Sequence, residues 1–436
     1  MRYLNKIEKY IFFTFLFAIP IHTRKILWQK SWFFNEWESI FLYGTDILIV
    51  ILLIFWLING KKYPILIDKY DYFLFLFALI SFGSAYFAVD SKIAWYQLLK
   101  LAEFYLLYFY LKSCALRKFP FIFSLTAVLA GGIFQALIVF LQYLKQGSLG
   151  LKYLGESLLL KDLQGVAVFI NSGGDKILRG YGTTPHPNVV GAYIFLAIFA
   201  LYFIWIYGKK NNWFGVAAYS FLMAGLFLTF SRTLAALFFL GFLIRFLVTN
   251  IIPRFRNKYL EKDRQYRKIF VLIFVVTVVT TSAFSYLLWP EVSSRINISG
   301  TEEAVQLRVF YARQTLDRDF SWFGVGIGNH IPWLRQTLPA LPRNAYQPVH
   351  NIYLLILNET GILGLMSFLL FMFFLIVDFV RRNMMSHLYH FSFLILFASF
   401  LLMGLTDHFL WSLQEGKLLL WVMIALMTDK HTLDNI

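Results

Sequence analysis

The stretch PVHNIYLLILNETG, Pro348 to Gly361, closes a long polar loop and runs straight into an apolar helix. It puts His350 where water-side sequence gives way to sequence fit for hydrocarbon. The apolar run continues to about Val380, and similar blocks recur along the chain. Many approach the roughly 20 residues that cross a bilayer core. The 436-residue chain is 59% hydrophobic, 20% aromatic and only 15% charged. A soluble domain carries about a quarter charged residues. The expected fold is therefore an all-α integral membrane protein, one polytopic domain over residues 1–436.

Working outward, apolar spans fall at about 10–22, 40–59, 72–89, 93–111, 120–144, 189–207, 213–230, 234–248, 269–289, 351–380, 388–406 and 409–427, about 12 transmembrane helices in all. Two long loops separate them, 145–187 and 290–349. Loops of that length in a compact domain usually carry function. Alternation with basic loops inside places both termini in the cytoplasm and both long loops outside. It also places the short turn at Ser231, Arg232 and Thr233 outside, on the side of His350. Arg117 with Lys118, Lys209 with Lys210, the stretch 254–268 and Arg381 with Arg382 all fall inside. The loop Thr23–Ser39 is basic yet placed outside, and its Trp28, Trp32, Phe33 and Trp37 suit an interfacial segment. The first apolar block lacks a small-residue cleavage site and is read as a retained helix.

The net charge of +16 is accounted for by these loops, so no nucleic-acid partner is expected. The outer basic residues suit an anionic ligand. One cysteine, Cys114, allows neither an internal disulfide nor a cysteine metal cluster. No His/Cys/Asp/Glu set has ligand spacing, so no metal and no cofactor are expected. Asp317-Arg318-Asp319 has a DxD form but no supporting acidic cluster, and reads as a helix-end charge pattern. FGVGIGN, Phe323–Asn329, lacks the spacing and the Lys-Ser/Thr of a nucleotide loop. It reads as a tight turn, with an amide nest for an anion as the second option.

An imidazole at a membrane boundary can take a proton from a hydroxyl near neutral pH. His350 fits that role, or merely hydrogen-bonds the interface. Asn351 lies beside it. Glu359 lies deeper in the same apolar helix, either as a functional acid or as a structural one. Arg232 sits in a turn of almost no length between two apolar helices. Its planar fork suits phosphate, and snorkelling is the plain alternative. Arg308 lies in LRVFYARQTL, read as an amphipathic helix on the membrane. Arg179 opens RGYGTTPHPN in the first long loop. Together these residues suit a lipid pyrophosphate site beside hydrocarbon. A transporter or flippase of a lipid-linked sugar stays open, because Lys100, Glu103, Glu359, Asp407 and Glu415 are charged residues within or beside apolar spans. No paired broken helices recur in the two halves.

The chain resembles the O-antigen ligase and O-antigen polymerase superfamily of bacterial envelope glycosyltransferases. The matching pieces are RGYGTTPHPNVVGAY (Arg179–Tyr193), TFSRTLAAL (Thr229–Leu237), RVFYARQTL with FGVGIGN (Arg308–Asn329), PVHNIYLLILNETGILG (Pro348–Gly364) and TDHFLWSLQEGKLLLW (Thr406–Trp421). The resemblance implies a GT-C-like fold with short amphipathic helices in the outer loops and a catalytic region over about 188–380. It implies inverting, metal-independent transfer of a glycan from undecaprenyl pyrophosphate at the periplasmic face of the bacterial inner membrane. It casts His350 as catalytic base, and Arg232 and Arg308 as pyrophosphate-binding residues. Arg179, His186 and Asn188 fall in a further recurrent motif, in which Arg179 is read as a third pyrophosphate ligand and the other two as supporting residues, with Asn351 and Glu359. The expected partners are the lipid-linked glycan donor, a lipid-anchored glycan acceptor and membrane lipid. A ligase acting on the lipid A core is favoured. A polymerase and a protein O-oligosaccharyltransferase are the alternatives within the superfamily.

Overall fold

A computed structural model describes residues 2–60, 62–208, 213–251, 264–296, 303–317, 321–383 and 388–429. Lys209, Lys210, Arg318, Asp319 and most of the basic stretch 254–268 lie outside the described residues. The chain is mostly helical. Its elements in order are α1 (Arg2–Ala18), β1 (Arg24–Gln29), β2 (Ser39–Tyr43), α2 (Gly44–Ile58), α3 (Asp71–Tyr86), α4 (Ser91–Tyr110), α5 (Phe121–Lys145), β3 (Val168–Ile170), β4 (Lys176–Leu178), α6 (Pro187–Gly208), α7 (Trp213–Leu228), α8 (Arg232–Ile251), α9 (Arg264–Leu287), α10 (Trp289–Ile296), α11 (Glu303–Leu316), α12 (His330–Thr337), α13 (Ile352–Asn383), α14 (Leu388–Thr406), α15 (Phe409–Ser412) and α16 (Gln414–Met427).

By length and composition, four described helical stretches can cross a membrane: Phe121–Lys145, Pro187–Trp205, Lys268–Leu287 and Ile352–Arg382. Gly44–Ile58, Asp71–Tyr86, Trp213–Leu228 and His390–Thr406 are apolar but shorter. Three expectations need correction. The segment Thr23–Ser39 opens with a strand, β1, which pairs antiparallel with β2 from Arg24 opposite Tyr43 to Gln29 opposite Ser39. Strand β2 takes the first residues expected of the second span, so that helix starts at Gly44. The first long loop likewise carries a small hairpin, β3–β4. The last span is split at Leu413 into a four-residue turn of helix and α16.

Local chemistry explains the helix starts. Asp90 caps α4 by accepting from the Ile93 amide at 3.2 Å. Pro187 opens α6, where its fixed φ suits the first turn and no N–H is missed. Helices α5, α6 and α7 then approach closely through small residues. A Cβ on Gly132 would lie 2.2 Å from the Ala197 Cβ, and one on Gly225 2.7 Å from the Ala136 Cβ. Such contacts replace the hydrophobic drive that lipid cannot supply between helices. The expected Lys100–Glu103 pair forms at 2.5 Å, and Asp46 joins it at 2.7 Å.

Helix α13 is broken at Gly361, with φ 74 and ψ −173. Only glycine takes that conformation readily. The break frees the carbonyls of Asn358 and Glu359, which accept from the amides of Val325 at 2.9 Å and Gly326 at 3.0 Å. In return the Ile362 amide donates to Ser321 at 3.2 Å and the Leu363 amide to Trp322 at 3.4 Å. The turn Phe323–Asn329 therefore repairs a broken helix. Its Gly324, Gly326 and Gly328 all have positive φ. Two of its amides serve the helix, as a tight turn there would.

Candidate functional site

His350 sits in the short link before α13, half-buried. Asn351 fixes it from behind. The Asn351 side-chain oxygen accepts from the amides of Tyr353 at 2.9 Å and Leu354 at 3.1 Å, capping α13. Its amide group donates to the Leu405 carbonyl at 3.2 Å, tying the link to the end of α14. The His350 ring stacks on Tyr311 of α11 at 6.2 Å between centroids and meets His408 edge-on at 5.0 Å. Its Nδ1 is buried and has no hydrogen-bond partner among the described residues. The ring is held by neighbours on two sides.

A hydrogen-bonded chain lies next to it. Arg179 donates through Nε to the Thr229 carbonyl at 2.8 Å and through a terminal nitrogen to the Asn188 oxygen at 2.7 Å. The Asn188 amide group donates to Asp407 Oδ2 at 2.6 Å. Asp407 Oδ1 accepts from the His408 amide at 2.7 Å, and His408 Nδ1 contacts the Ser412 hydroxyl at 2.6 Å. His186 Nδ1 accepts the Asn188 amide at 3.2 Å, so a proton on that ring belongs on Nε2. The chain joins the first long loop and α6 to the α14–α15 link.

The electrostatics are lopsided. Burial and then repulsion from Arg295, with a further push from Arg308, bring Arg179 down to about 9. It stays protonated at neutral pH. Burial raises the Asp407 carboxyl, but the imidazoles of His408, His186 and His350 and the Asn188 amide outweigh it. The carboxyl is held well below its usual range. Burial lowers His186 and His408 to about 3 despite the pull of Asp407, leaving both neutral. His350 is lowered too, by burial first; Asp407 opposes the shift and Arg308 adds to it. The site thus holds neutral imidazoles and crowded guanidinium charges around the Asp407 carboxylate. Crowded arginines favour an anion of more than one charge.

The structure brings Arg179, His186, Asn188, Arg308 and His350 together. Arg232 opens α8 at the same end of the bundle: its neighbour Thr233 meets Thr406 at 3.4 Å, one residue before Asp407. The turn before it is tight, with Phe230 at φ 47. Glu359 stands apart. It is buried, accepts the Trp411 indole N–H at 3.0 Å, and its backbone carbonyl serves the helix break. Three residues of the cluster were not expected as site members. Arg295 of α10 donates to the Phe230 carbonyl at 3.3 Å, beside the Thr229 carbonyl that Arg179 holds. Asp407 and His408 complete the surroundings of His350. Among the described residues, no group of three or more His, Cys, Asp or Glu side chains is arranged to hold a metal ion.

Residues 217–369 match the family model described as O-antigen ligase. The match includes Arg232, Arg295, Arg308, His350 and Glu359. No curated protein matches the chain.

Proposed function

We propose, for a chain that belongs to the O-antigen ligase superfamily, that it transfers a glycan from undecaprenyl pyrophosphate to a hydroxyl of a lipid-anchored sugar. The reaction is inverting and metal-independent, and it takes place at the periplasmic face of the bacterial inner membrane. The ligase form, with a lipid A-core acceptor, is the reading adopted here. The acceptor hydroxyl attacks the anomeric carbon, and the bond from that carbon to the phosphate oxygen breaks. The hydroxyl proton passes to His350, and the lipid pyrophosphate leaves with the electron pair. Arg179, Arg232 and Arg308 hold the pyrophosphate and offset the charge that develops on it. Arg295 joins them on position.

The observation that carries this reading is His350 itself. Its Nδ1 has no partner among the described residues, and the ring lies between the helix of Arg308 and the Asp407–His408 link. Its lowered pKa leaves the ring neutral at neutral pH, as a base must be. Asn188 and His186 support the site by holding Arg179 and Asp407. Asn351 supports it by fixing the link.

The test is His350→Ala in proteoliposomes with labelled lipid-linked donor and a lipid-anchored glycan acceptor. Transfer should fall by about a thousandfold, within the range for loss of a general base. The variant should elute from a sizing column as the wild type does. Wild-type transfer rates in such a well-folded variant would remove the base assignment.

A further inference from the structure

The segment 24–43, strands β1 and β2 with the loop between them, stands outside the long helices and faces two ways. One side is fixed to the site. Asn35 Nδ2 donates to the Tyr346 carbonyl at 3.2 Å, Arg335 donates to both carboxylate oxygens of Glu38 at 3.1 and 2.6 Å, and the Trp37 ring meets His408 edge-on at 5.6 Å. The hairpin is also held to the start of α4. Lys30 donates to Asp90 at 2.6 Å, and the Tyr96 hydroxyl bonds the amide and the carbonyl of Phe41 at 3.3 and 3.1 Å.

The other side is apolar. Trp32 at the tip is 97% exposed, and Phe33, Phe34 and Leu42 are exposed with it. The register shift between Ile26 and Trp28 breaks the alternation of β1, so Ile26 and Leu27 are exposed in succession. An apolar patch with a polar rim marks an interaction surface. Its place in the fold agrees with a bilayer. The α3–α4 turn beside it ends an apolar helix with the exposed rings of Tyr86 and Phe87, and Phe323 packs on Phe87 at 6.5 Å. Such rings at a helix end suit the headgroup layer.

The rim is cationic. Its carboxylates are engaged: Glu36 with Arg24, Glu38 with Arg335 and Asp90 with Lys30. Lys25, Lys92 and Arg343 are exposed and have no carboxylate within 4 Å among the described residues. Lys92 and Arg343 lie over the Trp28 and Phe33 rings, 3.9 and 3.4 Å from the centroids. An apolar tip with cations on its flanks complements a leaflet that offers hydrocarbon below its phosphates.

We propose that the tip Trp32–Phe34 seats in the leaflet at the His350 end of the bundle, and that Lys25, Lys92 and Arg343 make the contact selective for anionic phospholipid. The same loop carries Trp37 against His408, so the seat also steadies that wall of the site. An effect on transfer rests on the reading above; the lipid contact does not.

The test uses the full chain, one copy per lipid nanodisc. Trp32 emission is isolated as the difference between wild type and Trp32→Leu. Discs of phosphatidylcholine carry a minor fraction of brominated phosphatidylcholine or of brominated phosphatidylglycerol. Brominated lipid should quench Trp32, and aqueous acrylamide should not. Half-quenching should need about tenfold less of the phosphatidylglycerol form, since a cation near the surface favours anionic lipid about fivefold and three act together, weakened by salt. Lys25→Gln, Lys92→Gln and Arg343→Gln together should abolish the preference and leave the quenching. All three side chains are exposed, so the fold does not depend on them. Quenching by acrylamide alone places the tip in water, and quenching by neither reagent places it against protein; each overturns the seat. Equal potency of the two lipids overturns the selectivity. So does loss of the preference in inorganic phosphate but not in chloride of equal ionic strength, which would assign the cations to a free anion. With labelled donor and acceptor, transfer should be several-fold faster in discs that contain phosphatidylglycerol, and the triple variant should lose the difference. A rate indifferent to lipid, with the preference intact, overturns the link to the site. No transfer by the wild type in any disc would sink the transfer reading and leave the lipid contact standing.

Discussion

Replacing Asp407 with asparagine removes the carboxylate but keeps the shape. The structure predicts two linked effects. First, Asp407 Oδ2 accepts from the Asn188 amide at 2.6 Å, while the Asn188 oxygen accepts from Arg179 at 2.7 Å. An amide at 407 that keeps Oδ1 on the His408 N–H turns its NH2 toward the NH2 of Asn188. Either two donors face each other, or Asn188 flips and releases Arg179. Second, Asp407 holds the His350 pKa up against burial. Losing that charge destabilises the imidazolium, so the pKa falls further. At an effective dielectric of about 20, a nearby unit charge changes the pKa by on the order of one unit. As the proposed base, His350 would have to be neutral to act, so the acidic limb of kcat/KM should move down by about that amount. The plateau should fall several-fold, because a weaker base takes the proton less well. Arg308→Gln has the opposite sign, since Arg308 lowers the His350 pKa. Its acidic limb should move up, and its donor KM should rise. Initial-rate profiles from about pH 5 to 9 measure both. Limbs that stay put, or shift in the same direction, would refute the coupling of Asp407 and Arg308 to the base.

Asn351→Ala removes a helix cap worth about 1 kcal/mol and the tether to Leu405. It should lower kcat more than it raises either KM, and Asn351→Asp should restore the cap but not the tether, as paired melting and rate measurements would show. Gly361→Ala places a Cβ 2.3 Å from the Trp322 carbonyl in a backbone conformation closed to alanine. A destabilisation of at least about 2 kcal/mol should appear as a lower Tm in detergent. Lys100→Met leaves Asp46 and Glu103 buried without their shared cation, at a cost of about 3 kcal/mol or more. Adding Asp46→Asn and Glu103→Gln should recover much of the lost Tm.

The helices and the arginine motifs were legible because each leaves a local mark. An apolar block long enough to span shows in composition, and Arg232 shows because a charge interrupts two such blocks. Arg295 left no such mark. It lies in WPEVSSRI, a polar stretch after an apolar helix, and only folding brings it to the Phe230 carbonyl. Asp407 was visible as an acid at the end of an apolar span, and that feature alone suits a transport path as well as an active site. Its partner Asn188 lies 219 residues earlier, so no local window joins them. Strand β1 was hidden because RKILWQ is short, cationic and lacks clean alternation. The break at Gly361 was hidden because a single glycine in an apolar run usually stays helical, and here the repairing turn comes from residues 321–326.

The cluster around His350 also argues against treating the family-matched segment as the whole catalytic unit. Residues 217–369 contain Arg232, Arg295, Arg308 and His350. Arg179 and Asn188 precede that segment, and Asp407 and His408 follow it. Yet Asn188 donates to Asp407, Asn351 inside the segment holds Leu405 outside it, and His350 packs on His408. The charge balance is divided in the same way. Within the segment the site has guanidinium groups and an imidazole, and the carboxylate that supports that imidazole comes from beyond it. Arginines alone would bind a pyrophosphate, but they would also push the His350 pKa down. On the proposed function, the carboxylate would let one site hold a strong anion and keep a competent base beside it. The two requirements meet only when α6 and the end of α14 close on the core of the match.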